Sequence, residues 1–227
     1  MKRRALVTLG SGIQSELLDI TRASRQSYAN RHNYELIEET HVLAPSRPPA
    51  WGKISLLREV AASDIYDSIV WLDADAIIVD ETDDIDCNGG GLIEYAIHRY
   101  EGHEFPNAGV MVLRRSHQMS RFLDLIWSET SFIDHRWWDN AAMLELLGYT
   151  TDGVVRKVSQ SIHDSYCSEL PLRWNSINQT LDETPAIAHF AGIPHGLRVA
   201  VMQILADEPS RVVELLRVPQ IALAETS

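Results

Sequence analysis

Apolar runs and helical spacings alternate along the chain, and together they predict an α/β fold. Short apolar runs bounded by turn residues indicate strands at 5–9, 34–39, 69–72, 92–100, 107–113, 154–158 and 186–189. Apolar positions three or four residues apart indicate helices at 13–29, 51–62, 116–129, 141–147 and 197–217, the last broken near Pro209. The first helix is expected to turn three arginines to solvent: Arg22, Arg25 and Arg31. This alternation predicts a mostly parallel sheet with helices on both faces, without a domain linker.

The stretch 68–80, SIVWLDADAIIVD, is the most informative part of this pattern. Its apolar run 69–72 is typical of a strand buried on both faces, and the run ends at Asp73 and Asp75. Ligands of open α/β sheets collect outside the carboxyl ends of strands, and side chains two residues apart point the same way. Two such anions repel unless a cation lies between them. The pattern therefore favours a Mg²⁺ or Mn²⁺ site, although one carboxylate capping a turn beside a solvated one is the alternative.

Lysine is scarce, which makes the position of Lys53 informative. It stands in the first turn of the helix 51–62, where the helix dipole disfavours a cation. Either an anionic partner or solvation would explain that placement. The preceding segment 41–49 carries three prolines and no periodicity, so we expect a loop long enough to be functional.

Composition narrows the class of protein. The chain has 227 residues, enough for one large or at most two small domains, and its 20 Lys and Arg against 32 Asp and Glu give a net charge of −12. This charge argues against general nucleic-acid binding, and an anionic ligand would need a metal or a few placed cations. The two cysteines lack metal-site spacing and fit a reducing compartment. The apolar run near the N-terminus is too short for a signal sequence or a membrane span, so we expect a cytosolic protein.

Six short motifs follow one another along the chain: Tyr28-Ala29-x-x-His32-x-Tyr34, Trp51-x-Lys53, Trp71-Leu72-Asp73-Ala74-Asp75-Ala76, Asn107-Ala108-Gly109 with Leu113-Arg114-Arg115-Ser116, Asp139-Asn140, and His189-Phe190-x-Gly192. In this order they resemble the GT-A-fold glycosyltransferases. The resemblance is strongest to the galactosyl-, mannosyl- and xylosyltransferase group of fungal α-mannosyl/galactosyltransferases and plant xyloglucan xylosyltransferases, and it runs over nearly the whole chain. It implies a single Rossmann-like domain, 1–227, with a nucleotide-binding half at 1–80. The half at 81–227 would bind the acceptor and complete the metal site.

The resemblance also implies a ligand set. The donor would be a nucleotide sugar, a UDP-sugar by family likeness, and the metal would be held by Asp75 and His189. Asp73 would reach the ribose or the water shell of the metal, which adds it to the metal set. Because imidazole joins carboxylate here, Mn²⁺ suits the site somewhat better than Mg²⁺. By the same resemblance, donor binding is assigned to Thr8, Tyr34, Lys53, Asp73, Asn107, Gly109 and Gly192.

Members of the resembled group retain anomeric configuration, which implies how the reaction would run here. The departing phosphate can take the acceptor's proton, and a carboxylate or amide near the anomeric carbon would stabilise an oxocarbenium-like transition state. Asp139 is the candidate for this contact, with Asn140 beside it where the family commonly has Gln, so the sugar, a hexose or a pentose, stays open. Trp137, Trp138 and Trp174 would either stack on an acceptor sugar or belong to the core.

The acceptor and two competing functions remain open at this stage. A glycan, a lipid-linked molecule, a small molecule or a nucleic acid could accept the sugar, and the net charge disfavours the last. Because the chain lacks the anchor and stem of Golgi relatives, we expect a bacterial or phage enzyme. One alternative is a nucleotide-sugar-binding or scaffold protein without turnover. The other is a haloacid-dehalogenase-like phosphatase, but its Asp-x-Asp normally lies near the N-terminus and continues differently.

Overall fold

The computed structural model describes residues 2–87, 89–100, 103–177 and 184–217. Its strands and helices, in chain order, are β1 (Arg4–Leu9), α1 (Ser15–His32), β2 (Glu35–Glu39), α2 (Gly52–Ala62), β3 (Ser68–Asp73), β4 (Ala76–Ile78), β5 (Ile93–Tyr100), β6 (His103–Arg114), α3 (His117–Ser128), α4 (Trp138–Leu146), β7 (Tyr149–Thr150), β8 (Arg156–Lys157), β9 (Cys167–Leu170), β10 (Ile187–His189), α5 (His195–Asp207) and α6 (Val212–Leu216). Among the described helices, none has the length and apolar character that crossing a bilayer requires.

Six strands form the main sheet in the order β2-β1-β3-β6-β5-β9. Strand β1 pairs in parallel with β2 and β3, and β9 pairs in parallel with β5. Only β6 runs against its neighbours β3 and β5. The predicted mostly parallel sheet of an α/β fold is therefore confirmed, and strands from both halves of the chain share it.

Helices cover both faces of this sheet because successive strand side chains point to opposite sides. On one face, Val7 and Trp71 pack in a buried cluster with side chains of α2, α3 and α4. On the other face, Leu6 and Val70 pack with Tyr28 of α1. The apolar run of β3 is buried throughout, as expected for a central strand.

A second, two-stranded sheet joins the end of the chain to the centre. Strand β4 follows β3 after the turn at Ala74 and Asp75, and it pairs antiparallel with β10. In this register His189 lies opposite Ala76, and the backbone N–H of Phe190 donates to the carbonyl of Asp75 at 2.9 Å. The sequence predicted β10 but not β4 as a separate strand. Their pairing brings the segment that contains His189 to the carboxyl end of β3.

Several predicted elements differ from the structure. The strand predicted at 154–158 shrinks to the two residues of β8. The span 160–183, which lacks long apolar runs and was therefore expected to be a structured loop, contains β9, although 178–183 lie outside the described residues. Strand β6 begins at His103, earlier than predicted, with a register shift opposite Tyr95 and Ala96. Arg25 is fully buried rather than exposed, because its guanidinium pairs with Glu38 at 2.6 Å.

Candidate active site

Two carboxylates and one imidazole meet at the carboxyl end of β3. Asp73 is the last residue of β3, Asp75 lies in the turn before β4, and His189 ends β10. The Nε2 atom of His189 lies 3.2 Å from Asp75 Oδ1 and 3.9 Å from Asp73 Oδ2. One ligand atom from each residue can be chosen so that all three lie within 4.8 Å of one another. Strand pairing thus brings together the three residues that the sequence assigned to a metal.

Asp75 also faces a cation that sequence reasoning missed. Arg198, in the first turns of α5, places Nη1 3.4 Å from Asp75 Oδ2 and donates to the carbonyl of Ile193 at 3.0 Å. Burial by itself would raise the pKa of Asp75, but His189 in its charged form, and then Arg198, hold that pKa well below its usual range. Asp75 is therefore ionised at neutral pH. Nothing in the amphipathic pattern around Arg198 distinguishes it from a surface arginine.

Lys53 lies buried between two carboxylates. Its Nζ atom is 2.9 Å from Asp73 Oδ1 and 3.1 Å from Asp139 Oδ2, and it donates to the carbonyl of Ala108 at 3.1 Å. Burial alone would lower the pKa of Lys53, but the neighbouring carboxylates raise it above its ordinary value. The expectation of an anionic partner is confirmed. Lys53 links Asp139 to Asp73 through one ammonium group.

Asn140 holds the backbone of β6 at the point where its pairing with β5 is interrupted. The register shift leaves the segment 108–110 without ladder partners on β5. The side chain of Asn140 accepts from the backbone N–H of Ala108 at 2.8 Å, and Lys53 occupies the carbonyl of the same residue. Asn140 is therefore committed to positioning the backbone of β6.

Gly109 makes room for His189. A Cβ atom added at Gly109 would lie 2.1 Å from His189 Cε1 and 2.9 Å from Asn107 Oδ1, so no larger residue fits without displacing the imidazole. The sequence interpretation assigned Gly109 to close approach of the backbone to a sugar. In the structure the group that approaches is the histidine ring.

Asn107 and Asn175 complete the surroundings of His189. Asn175 Oδ1 lies 2.8 Å from His189 Nδ1, and Asn175 Nδ2 donates to Asn107 Oδ1 at 2.9 Å. Asn175 is fully buried. It lies in the span 160–183, outside the strands and helices that the sequence predicted, and it was given no function because its partners come from distant segments of the chain.

Two residues assigned to donor binding lie elsewhere. Tyr34 precedes β2 and donates its hydroxyl to Asp84 Oδ1 at 2.6 Å, at the amino edge of the sheet and far from Asp73. Thr8 is fully buried on the sheet face that carries Leu6, opposite the face of Asp73, and its hydroxyl has no hydrogen-bond partner among the described residues. The structure brings neither side chain to the carboxylates.

Gly192 and the three tryptophans differ in their burial and in their place relative to the site. Gly192 follows His189 closely and has a left-handed φ of +74°, with open space where a side chain would be. Trp174 is buried in the core. Trp137 stacks on Phe105 with ring centroids 5.8 Å apart, whereas Trp138 is 41% exposed directly before Asp139.

Comparisons with known proteins agree with this architecture. Residues 6–86, which include both carboxylates of the Asp-x-Asp, match the galactosyl transferase GMA12/MNN10 family. The structure is similar to that of a glycosyltransferase involved in the glycosylation of the major capsid of PBCV-1, with a TM-score of 0.65, 13% identity, and coverage of 88% of this chain and 99% of that chain. The fold is that of a GT-A glycosyltransferase.

Two further solved structures with this fold are similar over most of the chain. The galactosyltransferase LgtC, solved with donor and acceptor sugar analogues, gives a TM-score of 0.54 and 13% identity over 93% of this chain and 95% of that chain. GlyE of Streptococcus pneumoniae TIGR4 gives 0.51 and 14% over 82% of this chain and 55% of that chain. No curated protein matches the sequence. The family match and the GT-A fold together support a glycosyltransferase resembling the GMA12/MNN10 group, as the sequence predicted.

Proposed function

We propose that the protein is a metal-dependent, retaining glycosyltransferase that moves a hexose or pentose from a nucleotide sugar, in the first instance a UDP-sugar, to a glycan acceptor. The observation that supports this most is the convergence of Asp73, Asp75 and His189 at the carboxyl edge of the sheet. Ligands of open α/β folds bind at this edge. In this proposal residues 1–80 form the nucleotide-binding half, and residues 81–227 form the half that binds the acceptor.

The donor set fits Mn²⁺ or Mg²⁺. Asp73, Asp75 and His189 would hold the ion with two carboxylates and one imidazole, which leaves positions for phosphate oxygens. The imidazole favours Mn²⁺ of the two. A divalent ion bound there supplies positive charge to the diphosphate leaving group. A chain with a net charge of −12 needs such local positive charge to bind an anionic donor.

The two nearby cations take different parts in this proposal. Arg198 places Nη1 3.4 Å from Asp75 Oδ2, and we assign it to the diphosphate. Lys53 is enclosed by Asp73, Asp139 and a backbone carbonyl, so it orients carboxylates and does not contact phosphate. Lys53 was expected either to contact the donor or to pair with an acidic residue, and its position supports the pairing with acidic residues.

Asp139 is assigned to the donor sugar. Its carboxylate is buried and shares the ammonium group of Lys53 with Asp73, which would place it beside a donor whose diphosphate is bound near Asp73. Burial raises the pKa of Asp139 while Lys53 opposes that rise. A carboxylate here would stabilise positive charge that develops at the anomeric carbon, and the leaving phosphate would accept the acceptor's proton. Asn140 supports this arrangement through the backbone of β6.

Thermal unfolding with UDP, GDP and CDP, each with and without Mn²⁺, tests the donor site. A ligand at a hundred times its Kd adds about 2.7 kcal/mol, which is roughly 5 to 10 °C for a chain of this size. We expect a shift that requires both UDP and Mn²⁺ and that disappears in Asp75→Asn. The exposed Asp19, which pairs only at the surface with Arg22, provides the control variant Asp19→Asn. No shift with any nucleotide and metal would contradict the proposal.

Product analysis separates the alternatives. Release of a nucleoside diphosphate from a nucleotide sugar would support the transferase. Binding without release would favour a scaffold, and release of phosphate from a phosphomonoester would favour a phosphatase. Screening glycan, lipid-linked, small-molecule and nucleic-acid acceptors with the accepted donor would then identify the second substrate, and the anomeric configuration of the product would test retention.

A further inference from the structure

We propose that Asn175 is a positioning residue that keeps the ring proton of His189 on Nδ1 and so turns Nε2, with its lone pair, toward the metal position. This inference rests on the proposed metal site but adds a residue that acts through His189. It follows from a chain of four hydrogen-bonding groups in which each contact leaves only one assignment for the next.

This series of hydrogen bonds begins at a backbone amide, whose role as a donor is fixed. The N–H of Gly109 can only donate, and it lies 2.8 Å from the side chain of Asn107, so the atom it meets must be Oδ1. The same Oδ1 lies 2.9 Å from the side chain of Asn175. Because an amide oxygen can only accept, Asn175 must present Nδ2 to it. A reversed amide would place two oxygens against each other.

The series of hydrogen bonds ends at the imidazole of His189. With Nδ2 of Asn175 directed to Asn107, its Oδ1 is the atom 2.8 Å from His189 Nδ1. An oxygen acceptor at this distance requires a proton on Nδ1. In the neutral imidazole Nε2 then carries only a lone pair, and it faces the carboxylate oxygens of Asp75 and Asp73 at 3.2 and 3.9 Å. Three acceptors around one point are stable only with a cation among them.

The backbone around Asn175 is held to the same strand as His189. The N–H of Ser176 donates to the carbonyl of Ile187 and the N–H of His189 donates to the carbonyl of Ser176, both at 2.9 Å. Nε2 of His98 lies 2.9 Å from the carbonyl of Asn175. Burial, with a smaller contribution from His189, lowers the pKa of His98 to about 3, so it is neutral and donates this bond. Asn175 and His189 are therefore fixed relative to each other.

Nitrogen-15 NMR of the histidine rings tests the inference without activity. In the Mg²⁺-loaded and the metal-free protein at high pH, we expect the ring proton of His189 on Nδ1, its signals being those absent from His189→Gln. The signal should be lost in Asn175→Ala. It should persist in Asn107→Asp, because a carboxylate oxygen still accepts from both Gly109 and Asn175. A ring proton on Nε2 of the parent protein would overturn the inference, whatever the stability of the variants.

Mn²⁺ affinity, measured by electron paramagnetic resonance of the unbound ion, provides a second readout. Removing a group that orients a metal-bound histidine typically weakens metal binding about 10- to 100-fold, and we expect this for Asn175→Ala. Ser176→Ala is the matched control, since among the described residues its buried hydroxyl bonds only to the carbonyl of Leu172. A folded Asn175→Ala protein with the affinity of the control would overturn the inference. If the parent itself bound no Mn²⁺, the metal site would be contradicted, and the ring proton would still decide the role of Asn175.

Discussion

Two clusters of buried charge lie at opposite edges of the main sheet, and they differ in how their acceptors are satisfied. At the amino edge, Asp84 accepts from the hydroxyl of Tyr34 at 2.6 Å and from the backbone N–H of Asp86 at 3.1 Å, and it pairs with Arg4. Asp86 in turn accepts from the hydroxyl of Ser68 at 2.7 Å. The carboxylates of this cluster thus accept hydrogen bonds from donors of the protein itself, which are hydroxyl groups, a backbone amide and a guanidinium.

At the carboxyl edge, donors of the protein itself satisfy Oδ1 of Asp73, which lies 2.9 Å from Lys53 Nζ and accepts from the indole N–H of Trp71 at 2.7 Å, but the other acceptors are satisfied less fully. Asp75 faces the imidazole of His189 at 3.2 Å, and its guanidinium partner, Arg198, is more distant at 3.4 Å. Oδ2 of Asp73 lies 3.9 Å from the same ring nitrogen. The difference teaches that counting acidic residues does not identify a metal site. The useful criterion is whether donors of the fold already meet the acceptors.

The largest expected effect comes from removing Lys53, which is buried inside the carboxyl-edge cluster. Lys53→Met should lower the free energy of unfolding by about 3 to 5 kcal/mol, because the buried carboxylate of Asp139 would lose its cation and the partly exposed Asp73 would lose the same partner. Urea unfolding measures this loss. Lys157→Met is the control, since the pair of Lys157 with Asp164 is partly exposed and should contribute less than about 1 kcal/mol. Equal stability of the two variants would contradict the enclosed role of Lys53.

Disrupting the amino-edge cluster should lower the free energy of unfolding without changing the binding of UDP and Mn²⁺. Asp84→Asn is expected to lose about 1.5 to 3 kcal/mol, the range for hydrogen bonds to a charged group, while UDP and Mn²⁺ affinities stay at parental values. Urea titrations and ligand-induced shifts of Tm measure the two quantities. A fall in Mn²⁺ affinity would show that the two edges are coupled.

The pH dependence of the same variant sharpens this expectation. Burial would raise the pKa of Asp84, but the hydroxyl of Tyr34 and the guanidinium of Arg4 hold it below its ordinary value. Its stabilisation is therefore present above the unfolded pKa of about 3.9 and is lost as pH falls through the lower folded value. Stability below about pH 4 should fall less steeply in Asp84→Asn than in the parent. Identical slopes would contradict the paired state of Asp84.

Gly109→Ala should disturb the carboxyl edge by sterics alone. The new Cβ would overlap the ring of His189, so we expect a loss of about 1 to 3 kcal/mol together with weaker Mn²⁺ binding. Gly153→Ala is the comparison, because Gly153 has a φ of +75° and open space around it. It should lose about 1 kcal/mol from backbone strain alone, with unchanged Mn²⁺ affinity. Calorimetric titration with Mn²⁺ distinguishes the two.

Tyr34→Phe should have the smallest effect. It removes one hydroxyl donor to Asp84, which is worth about 1 kcal/mol of stability. Because Tyr34 lies at the amino edge, UDP affinity in the presence of Mn²⁺ should not change. A marked loss of UDP affinity in a folded protein would instead restore the donor-binding role that the sequence suggested.

Local sequence patterns predicted most strands and helices of the fold and the candidate metal ligands at the carboxyl edge of the sheet. The apolar run before Asp73 and Asp75 is a property of a few adjacent residues, and it marks a buried strand that ends at a site. His189 was assigned through the resemblance of its motif, at the end of another short strand, to that of the GT-A glycosyltransferases. Lys53 was recognised because its position opposes the helix dipole. In each case the chemical signal and the structural signal lie in one segment.

The remaining parts depend on contacts between distant segments. Asn175 meets Asn107 and His189, and Arg198 meets Asp75, through contacts between segments that are distant in the sequence, so neither residue has a local signature. Arg25 was assigned to solvent by its charge, but its pairing with Glu38 allows full burial. Tyr34 belongs to a motif whose order along the chain matched, yet order does not show at which edge of a sheet a side chain lies.

The pairing of β4 with β10 also sets when the site can exist during biosynthesis. Asp73 and Asp75 are translated early, whereas His189 is translated near the end of the described chain. A nascent protein therefore presents its carboxylates to the cell long before the imidazole that completes the set. If the proposed metal site is correct, metal capture with three protein ligands would be a late event, and a chain released before β10 could not assemble that centre.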